Sequence, residues 1–500
     1  MSEIIKNNLI LTEKQRIMGK YLLILLNILI NSVILFIAFL IIDYTFQKWL
    51  LPFAVLSVTQ LLLNIITIKK LEGMFFSLTT LFLIFSFITH LGIVVIFGFN
   101  IQIDLPWNPL LTISENVFRD ACYFSLCSHF FLTLGMAIVL SKKKSHKTLL
   151  LEPDDNKGLR NQLYYTKNIG MILFLIGIIP MLYIDISKIN LFLNGNYLDT
   201  FQVGAPGFVY IIASFTDVGI MMLLLGNKDN KKKATLIFGI VIIYKGILMF
   251  TGGRGEPILF LLSLFFIYFR FIRIKKIKPK QFIFNLILVY ICGFVLTFIS
   301  QIRMMSINNI ETMMQLMKKS FIDFSPFSVI AEFGGTIITL GISMDFFSST
   351  GDFQYGSNYL VSLLNIFPNL GGVLDFTIPK TIYVNNFPPF LRTFLGGSYL
   401  GEIYYSFGIL APFFVTIIGM VVGYVSLKIQ DLFNQNRFIL MSILLILFPN
   451  LLWWTRAYFV DMIREFVWTS VFIMIFFMLF ENKYKLKTKI EMNPLKKLNI

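Results

Sequence analysis

Tyr21–Ile42 reads YLLILLNILINSVILFIAFLII, an apolar run with no charged residue in it. A helix rises about 1.5 Å per residue, so about 20 such residues cross a hydrocarbon layer ~30 Å thick. The run is therefore read as a membrane span. It is too long for a signal-peptide core and lacks a small-residue cleavage pattern, so the expectation is a retained first anchor.

The same reading, extended outward, finds further spans at Leu50–Ile68, Met74–Phe97, Ala121–Leu140, Ile169–Ile184 and Phe208–Leu225. The second half of the chain adds Ala234–Phe250, Pro257–Phe271, Phe282–Ile299, Ile409–Leu427, Phe438–Leu452 and Phe466–Phe480. That is about twelve spans, the count expected of an all-α polytopic membrane protein. Composition agrees: 56% of residues are hydrophobic, 55 are Phe and only 14% are charged, more apolar surface than a soluble core can cover.

Charge gives the expected orientation, because Lys and Arg accumulate on the cytoplasmic side of such proteins. Alternating the spans from a cytoplasmic N-terminus puts on that side the groups Lys14–Arg16–Lys20, Lys69–Lys70, Lys142–Lys144, Lys231–Lys233, Arg273–Lys280 and Lys483–Lys497. Roughly 31 of the 43 basic residues then fall inside and about 11 outside, with Lys245 within a span. Both termini are expected to be cytoplasmic. The net charge of +16 is explained by this asymmetry, and no nucleic-acid partner is expected.

Ser300–Phe407 is the exception to the short connections, and the charge argument places it outside. Long structured loops usually carry function. Ile310, Met313, Met314, Met317, Phe321 and Phe324 recur at helical spacing opposite a polar face, the pattern of an amphipathic helix. Phe327–Met344 and Tyr359–Phe376 are moderately apolar. The segment that would join them inside, Asp345–Asn358, holds no Lys or Arg, so re-entrant or interfacial helices are expected. The chain is thus read as membrane helices over 1–299, a large extracytoplasmic loop over 300–407, further membrane helices over 408–480 and a basic tail over 481–500.

Ionisable groups near bilayer depth are functional candidates by default. Gly252-Gly253-Arg254-Gly255-Glu256 opens a span, and its glycines allow close backbone approach to a ligand. Arg303, Glu332, Arg392, Glu402, Arg456 and Arg464 complete a constellation expected on the outer side. Guanidinium groups bind phosphate oxygens through paired hydrogen bonds, and carboxylates at similar depth can take a proton from a hydroxyl. Tyr355, Tyr359, Tyr399 and Tyr404 are candidates to stack on sugars or to form an interfacial belt. His90 and His129 fall on neighbouring spans and are read as interior histidines, with a proton relay as the other reading. Cys122, Cys127 and Cys292 have neither metal-ligand nor disulfide spacing. The outer loop has no Asp-X-Asp, and Asp154–Asp155 falls on the cytoplasmic side, so the expected chemistry uses no metal and no cofactor.

Three segments carry a family resemblance: Gly252–Glu256, Ala331-Glu332-Phe333-Gly334-Gly335, and Gly401-Glu402-Ile403-Tyr404-Tyr405-Ser406-Phe407-Gly408. With the topology, they resemble the Wzy-type polysaccharide polymerases, which join oligosaccharide repeat units. The resemblance implies a lipid-carrier-dependent glycosyltransferase (GT-C-like) architecture in the cytoplasmic membrane. It also implies transfer of a growing glycan from undecaprenyl pyrophosphate to a lipid-linked repeat unit, for capsule, exopolysaccharide or O-antigen. Expected partners are the undecaprenyl-pyrophosphate-linked oligosaccharide, membrane lipid, a chain-length regulator protein and a flippase. In this reading Arg254 and Arg303 stabilise pyrophosphate, Glu332 or Glu402 is the base, Glu256 orients Arg254, and Arg392, Arg456, Arg464 and Tyr404 contact substrate. Two other readings stay open. A lipid-linked oligosaccharide flippase would favour an internal repeat, and none is evident between the halves. A membrane glycosyltransferase adding single sugars would favour several carboxylates in the first outer loop, where Asp43 stands alone.

Overall fold

The computed structural model describes residues 2–103, 108–143, 156–194, 200, 203–250, 253, 255–273, 314, 318, 325, 327–351, 353–367, 378–389 and 395–491. Among these every regular element is helical. The first half runs α1 (Ser2–Leu40), α2 (Phe46–Glu72), α3 (Leu78–Gly98), α4 (Glu115–Ser141), α5 (Asn156–Asn194) and α6 (Gly207–Gly226). Next come α7 (Lys231–Met249) and α8 (Gly255–Ile267), the latter ending in a π turn at Tyr268–Ile272. The second half has α9 (Phe327–Gly334), α10 (Ile337–Thr350), α11 (Ser357–Leu364), α12 (Ile378–Thr381) and α13 (Tyr399–Phe407). It closes with α14 (Ala411–Asn434), α15 (Phe438–Trp454) and α16 (Phe459–Glu491).

Among the described residues ten helical segments are long and apolar enough to cross a membrane. The chain is an all-α, multi-pass membrane protein. Each expected span falls on a helix except Phe282–Ile299, which lies outside the described residues. Phe327–Phe347, expected to form a re-entrant or interfacial helix, is one of the ten and consists of two helices interrupted at Gly335–Thr336. Of the expected amphipathic helix, Met314 and Lys318 are described; both are helical and exposed.

Helix starts follow capping chemistry. Ser77 accepts from Thr80 N, Asn230 from Lys233 N and Ser398 from Gly401 N, each satisfying a backbone donor that has no partner inside its helix. Gly408, at φ 53°, separates α13 from α14 against the Phe353 ring, a position where both backbone and space favour glycine.

Lipid gives no hydrophobic drive for helices to associate, so close contact must come from small residues and buried polar groups. Both are present. Gly170 on α5 meets Gly219 on α6, Gly177 meets the α6 backbone at Ile212 and Thr216, and Gly226 on α6 meets Lys167 of α5. A Cβ at Gly219 would stand 2.7 Å from the Gly170 carbonyl oxygen. Gly135 on α4 and Gly419 on α14 likewise meet backbone of the facing helix. Elsewhere Asn27 and Asn31 of α1 donate to Asn64 Oδ1 of α2 at 3.1 Å, and Gln60 donates to the Leu126 carbonyl of α4. The opposite face of α1 is apolar and exposed at Leu22, Leu26, Leu29 and Phe36, as a lipid-facing surface should be.

Replacing Gly219 by leucine should force α5 and α6 apart, an overpacking cost of about 1–3 kcal/mol or more. The purified protein should then melt at lower temperature. Gly239→Leu is the control, since a Cβ there meets nothing within 4 Å.

Candidate functional site

The turn Thr455–Tyr458, between α15 and α16, is where the separate sequence motifs converge. Gly255, at the start of α8, lies against the Trp453 ring, where a Cβ would be only 2.5 Å away. The Arg456 guanidinium sits 5.3 Å above the centroid of Phe333, the neighbour of Glu332 on α9. Gly396 and Gly397 pass over the Arg456 and Ala457 backbone. Thr339 of α10 fixes that strip by donating to the Gly396 carbonyl at 3.1 Å.

Glu402 of α13 reaches the same turn from within. Its Oε2 accepts from Trp454 Nε1 at 3.0 Å and from Phe459 N at 3.2 Å, and its Oε1 accepts from Asn358 Nδ2 at 3.4 Å. Ser406 then donates to Asn358 Oδ1 at 2.6 Å. The carboxylate is fully buried, with both oxygens engaged, so this arrangement positions the turn and leaves no oxygen facing solvent. Glu332, by contrast, is partly exposed. Around the turn, burial pushes the phenols of Tyr383 and Tyr458 well up, with nearby ionisable groups including Glu402 adding to it, and both stay neutral donors.

Arg464 holds a different edge. Its Nε donates to the Asn365 carbonyl at 3.1 Å, and Trp468 Nε1 donates to the Ile366 carbonyl at 2.7 Å, tying the end of α11 to α16. Tyr404 points elsewhere. It packs edge-on against Phe124 of α4, 5.1 Å between centroids, and against Phe347. Phe347 stacks on Phe353, which adjoins the 82% exposed Tyr355. Tyr355 can present a ring to a ligand, whereas Tyr399 cannot: it is fully buried, with its hydroxyl 2.6 Å from Ser86 Oγ. His129 Nε2 meets the same Ser86 hydroxyl, and His90 Nε2 meets Ser398 Oγ at 2.8 Å, so both rings are interior links among α3, α4 and α13. Arg254, Arg303 and Arg392 lie outside the described residues, as do Cys292, Asp154 and Asp155.

Beside this turn lies a buried ionic group that motif reading passed over. Lys245 of α7 pairs with Asp217 of α6 at 2.8 Å and stands 4.8 Å over the Phe260 ring of α8. Tyr244 donates to Asp185 of α5 at 2.5 Å. Glu256 and Asp185 act electrostatically on Lys245, and Glu465 of α16 feels Glu256, Asp217 and Lys245 in turn. The signal was available: Asp217, Lys245 and Glu465 are ionisable residues within or beside apolar runs, and such residues need a partner.

If Glu402 holds the turn, Glu402→Ala leaves the Trp454 and Phe459 donors unpaired, on the order of 1–3 kcal/mol each. Folded yield on size-exclusion chromatography should fall sharply. Glu402→Gln keeps an acceptor oxygen and should elute as wild type.

Against known proteins, the family profile of the O-antigen polysaccharide polymerase Wzy matches residues 28–489. The chain is 29% identical over 362 residues to Protein CapE of Staphylococcus aureus, covering 70% of this chain and 73% of that one. No solved structure matches.

Proposed function

The chain belongs to the O-antigen polysaccharide polymerase Wzy family, and from that premise we propose that it joins undecaprenyl-pyrophosphate-linked oligosaccharide repeat units at the outer face of the cytoplasmic membrane. The products would be capsule, exopolysaccharide or O-antigen. The growing glycan leaves its carrier as a block, the acceptor hydroxyl of the incoming unit forms the new glycosidic bond, and the lipid pyrophosphate departs. Two groups are required: cations to hold the diphosphate as negative charge builds on it, and a base for the acceptor proton.

The observation that carries this reading is the convergence at the α15–α16 turn, where Arg456 lies over Phe333, the neighbour of Glu332, and Trp453 lies against Gly255 at the start of α8. In the proposed site Arg254 and Arg303 grip the pyrophosphate, with Glu256 orienting Arg254. Arg456 and Arg392 contact the carrier or sugar, and Arg464 holds the rim. Glu332 is the better base of the two carboxylates, because Glu402 is enclosed and fully bonded. Tyr404 supports the aromatic group that ends in Tyr355. A cleft of about 300 Å³ between Thr112–Val117 and α10, lined also by Asp345 and Pro388, offers room for a sugar.

The test is reconstitution of the purified chain in liposomes with a defined undecaprenyl-pyrophosphate oligosaccharide. A ladder of multiples of the repeat unit is expected. A substrate that changes leaflet without growing, or gains one sugar at a time, would overturn the reading. Within an active preparation, Glu332→Gln should lose the ladder while Glu402→Gln keeps it.

A further inference from the structure

At the end of the bundle remote from Thr455–Tyr458, the ends of α2, α4, α8 and α14 and a turn of α1 enclose a cavity of about 520 Å³. Its wall carries Lys20, Lys70, Lys143 and Arg270. Two carboxylates, Glu72 and Asp431, share the wall, but Glu72 is occupied by the Ser426 hydroxyl at 2.6 Å and by Thr79. Among the described residues the one ion pair is Lys245–Asp217, so Lys70, Lys143 and Arg270 have no carboxylate at ion-pair distance. Four cations against two carboxylates leave the wall net positive, and an anion between Lys70, Lys143 and Arg270 relieves their mutual repulsion.

Three of these side chains, Lys20, Lys143 and Arg270, are held in place, and Lys70 stands exposed beside them. Lys143 Nζ donates to the Glu72 carbonyl at 2.8 Å, and Lys20 Nζ to the Ser141 and Lys143 carbonyls at 3.2 and 2.8 Å. An ammonium has three donors, so the Lys143 bond leaves N–H groups for a ligand. Arg270 sits in the π turn and spends two N–H groups on Gln430 Oε1, at 3.2 and 2.8 Å, with the rest of its fork available.

We infer that this cavity is a binding site for a phosphate-bearing anion, and that its source is the headgroup of an anionic glycerophospholipid. The cavity stands at the ends of membrane-spanning helices, the depth of headgroups, where basic pockets between helices take acidic lipids. Its wall includes Leu23 of α1, and Leu26, one turn on, is exposed. A headgroup seated among the cations would lay its acyl chains along that apolar face.

The site is separate from the proposed polymerase chemistry, so its test does not read polymer. The full chain is purified in neutral detergent, and retained lipid is counted by native mass spectrometry after adding phosphatidylglycerol, phosphatidylcholine or inorganic phosphate. Phosphatidylglycerol should be retained and raise the melting temperature, and phosphatidylcholine should do neither. The Lys70→Gln/Lys143→Gln variant should retain phosphatidylglycerol roughly thirtyfold less, at about a kcal/mol per cation. Lys231→Gln/Lys232→Gln removes the same charge away from the cavity and should bind as wild type. Equal retention of the two lipids, unchanged retention in the Lys70/Lys143 variant, or equal loss in the control would overturn the proposal. Stabilisation by inorganic phosphate with no preference for phosphatidylglycerol would overturn the lipid assignment in favour of a free phosphate compound.

Discussion

Lys245→Met is expected to remove nearly all folded protein from the membrane fraction, while the double variant Lys245→Met/Asp217→Asn recovers most of it. The pair is largely buried, with side chains 9% and 21% exposed. Removing one member of such a pair strands the other charge, at a cost of about 3–5 kcal/mol, whereas replacing both by neutral groups is often close to neutral. The two single variants should differ. Asp217→Asn leaves Lys245 with Asp185 and Glu256 in reach, while Lys245→Met leaves Asp217 among carboxylates alone. Folded yield by fluorescence-detected chromatography reads the order: double variant and Asp217→Asn above Lys245→Met. Equal yields for the two single variants would show that Lys245 does not balance this group.

Arg254→Lys is expected to cut polymer output on the order of 10²–10³ per mole of protein, because lysine keeps the charge and loses the paired hydrogen bonds that a guanidinium gives a diphosphate. Its neighbours limit what else the change can do. Gly253 and Glu256 are exposed, and lysine keeps the positive charge. Thermal stability should therefore stay at the wild-type value while the ladder shortens or disappears in the liposome assay. Wild-type yield and length in the lysine variant would remove Arg254 from the reaction.

The spans were legible because a run such as Tyr21–Ile42 has one physical reading in a chain this apolar. Their true lengths were not. The helix around Ile169–Ile184 continues to Asn156 and Asn194, since polar residues at its ends stay helical where helix pairing and headgroups satisfy them. The bend at Gly335–Thr336 was readable only as apolar character interrupted by glycine, and the partner that buries it, α3, lies more than two hundred residues away in sequence. Among the site residues, position in sequence flagged Glu402 but not its use: Trp454, Phe459 and Asn358 come from three other segments, and no local pattern links them. Tyr399 and Tyr355 looked alike as letters, and tertiary packing buried one and exposed the other.

The Asn27–Asn31–Asn64 ladder bears on how the chain is made. Asn31 can donate to the Asn27 carbonyl within α1, but the Asn27 amide donates only to Asn64 and Thr67 of α2, so a solitary α1 leaving the translocation channel would carry that donor bare into lipid. The sequence thereby favours release of α1 and α2 together as a hairpin, with the first anchor waiting in the channel until its mate has been synthesised.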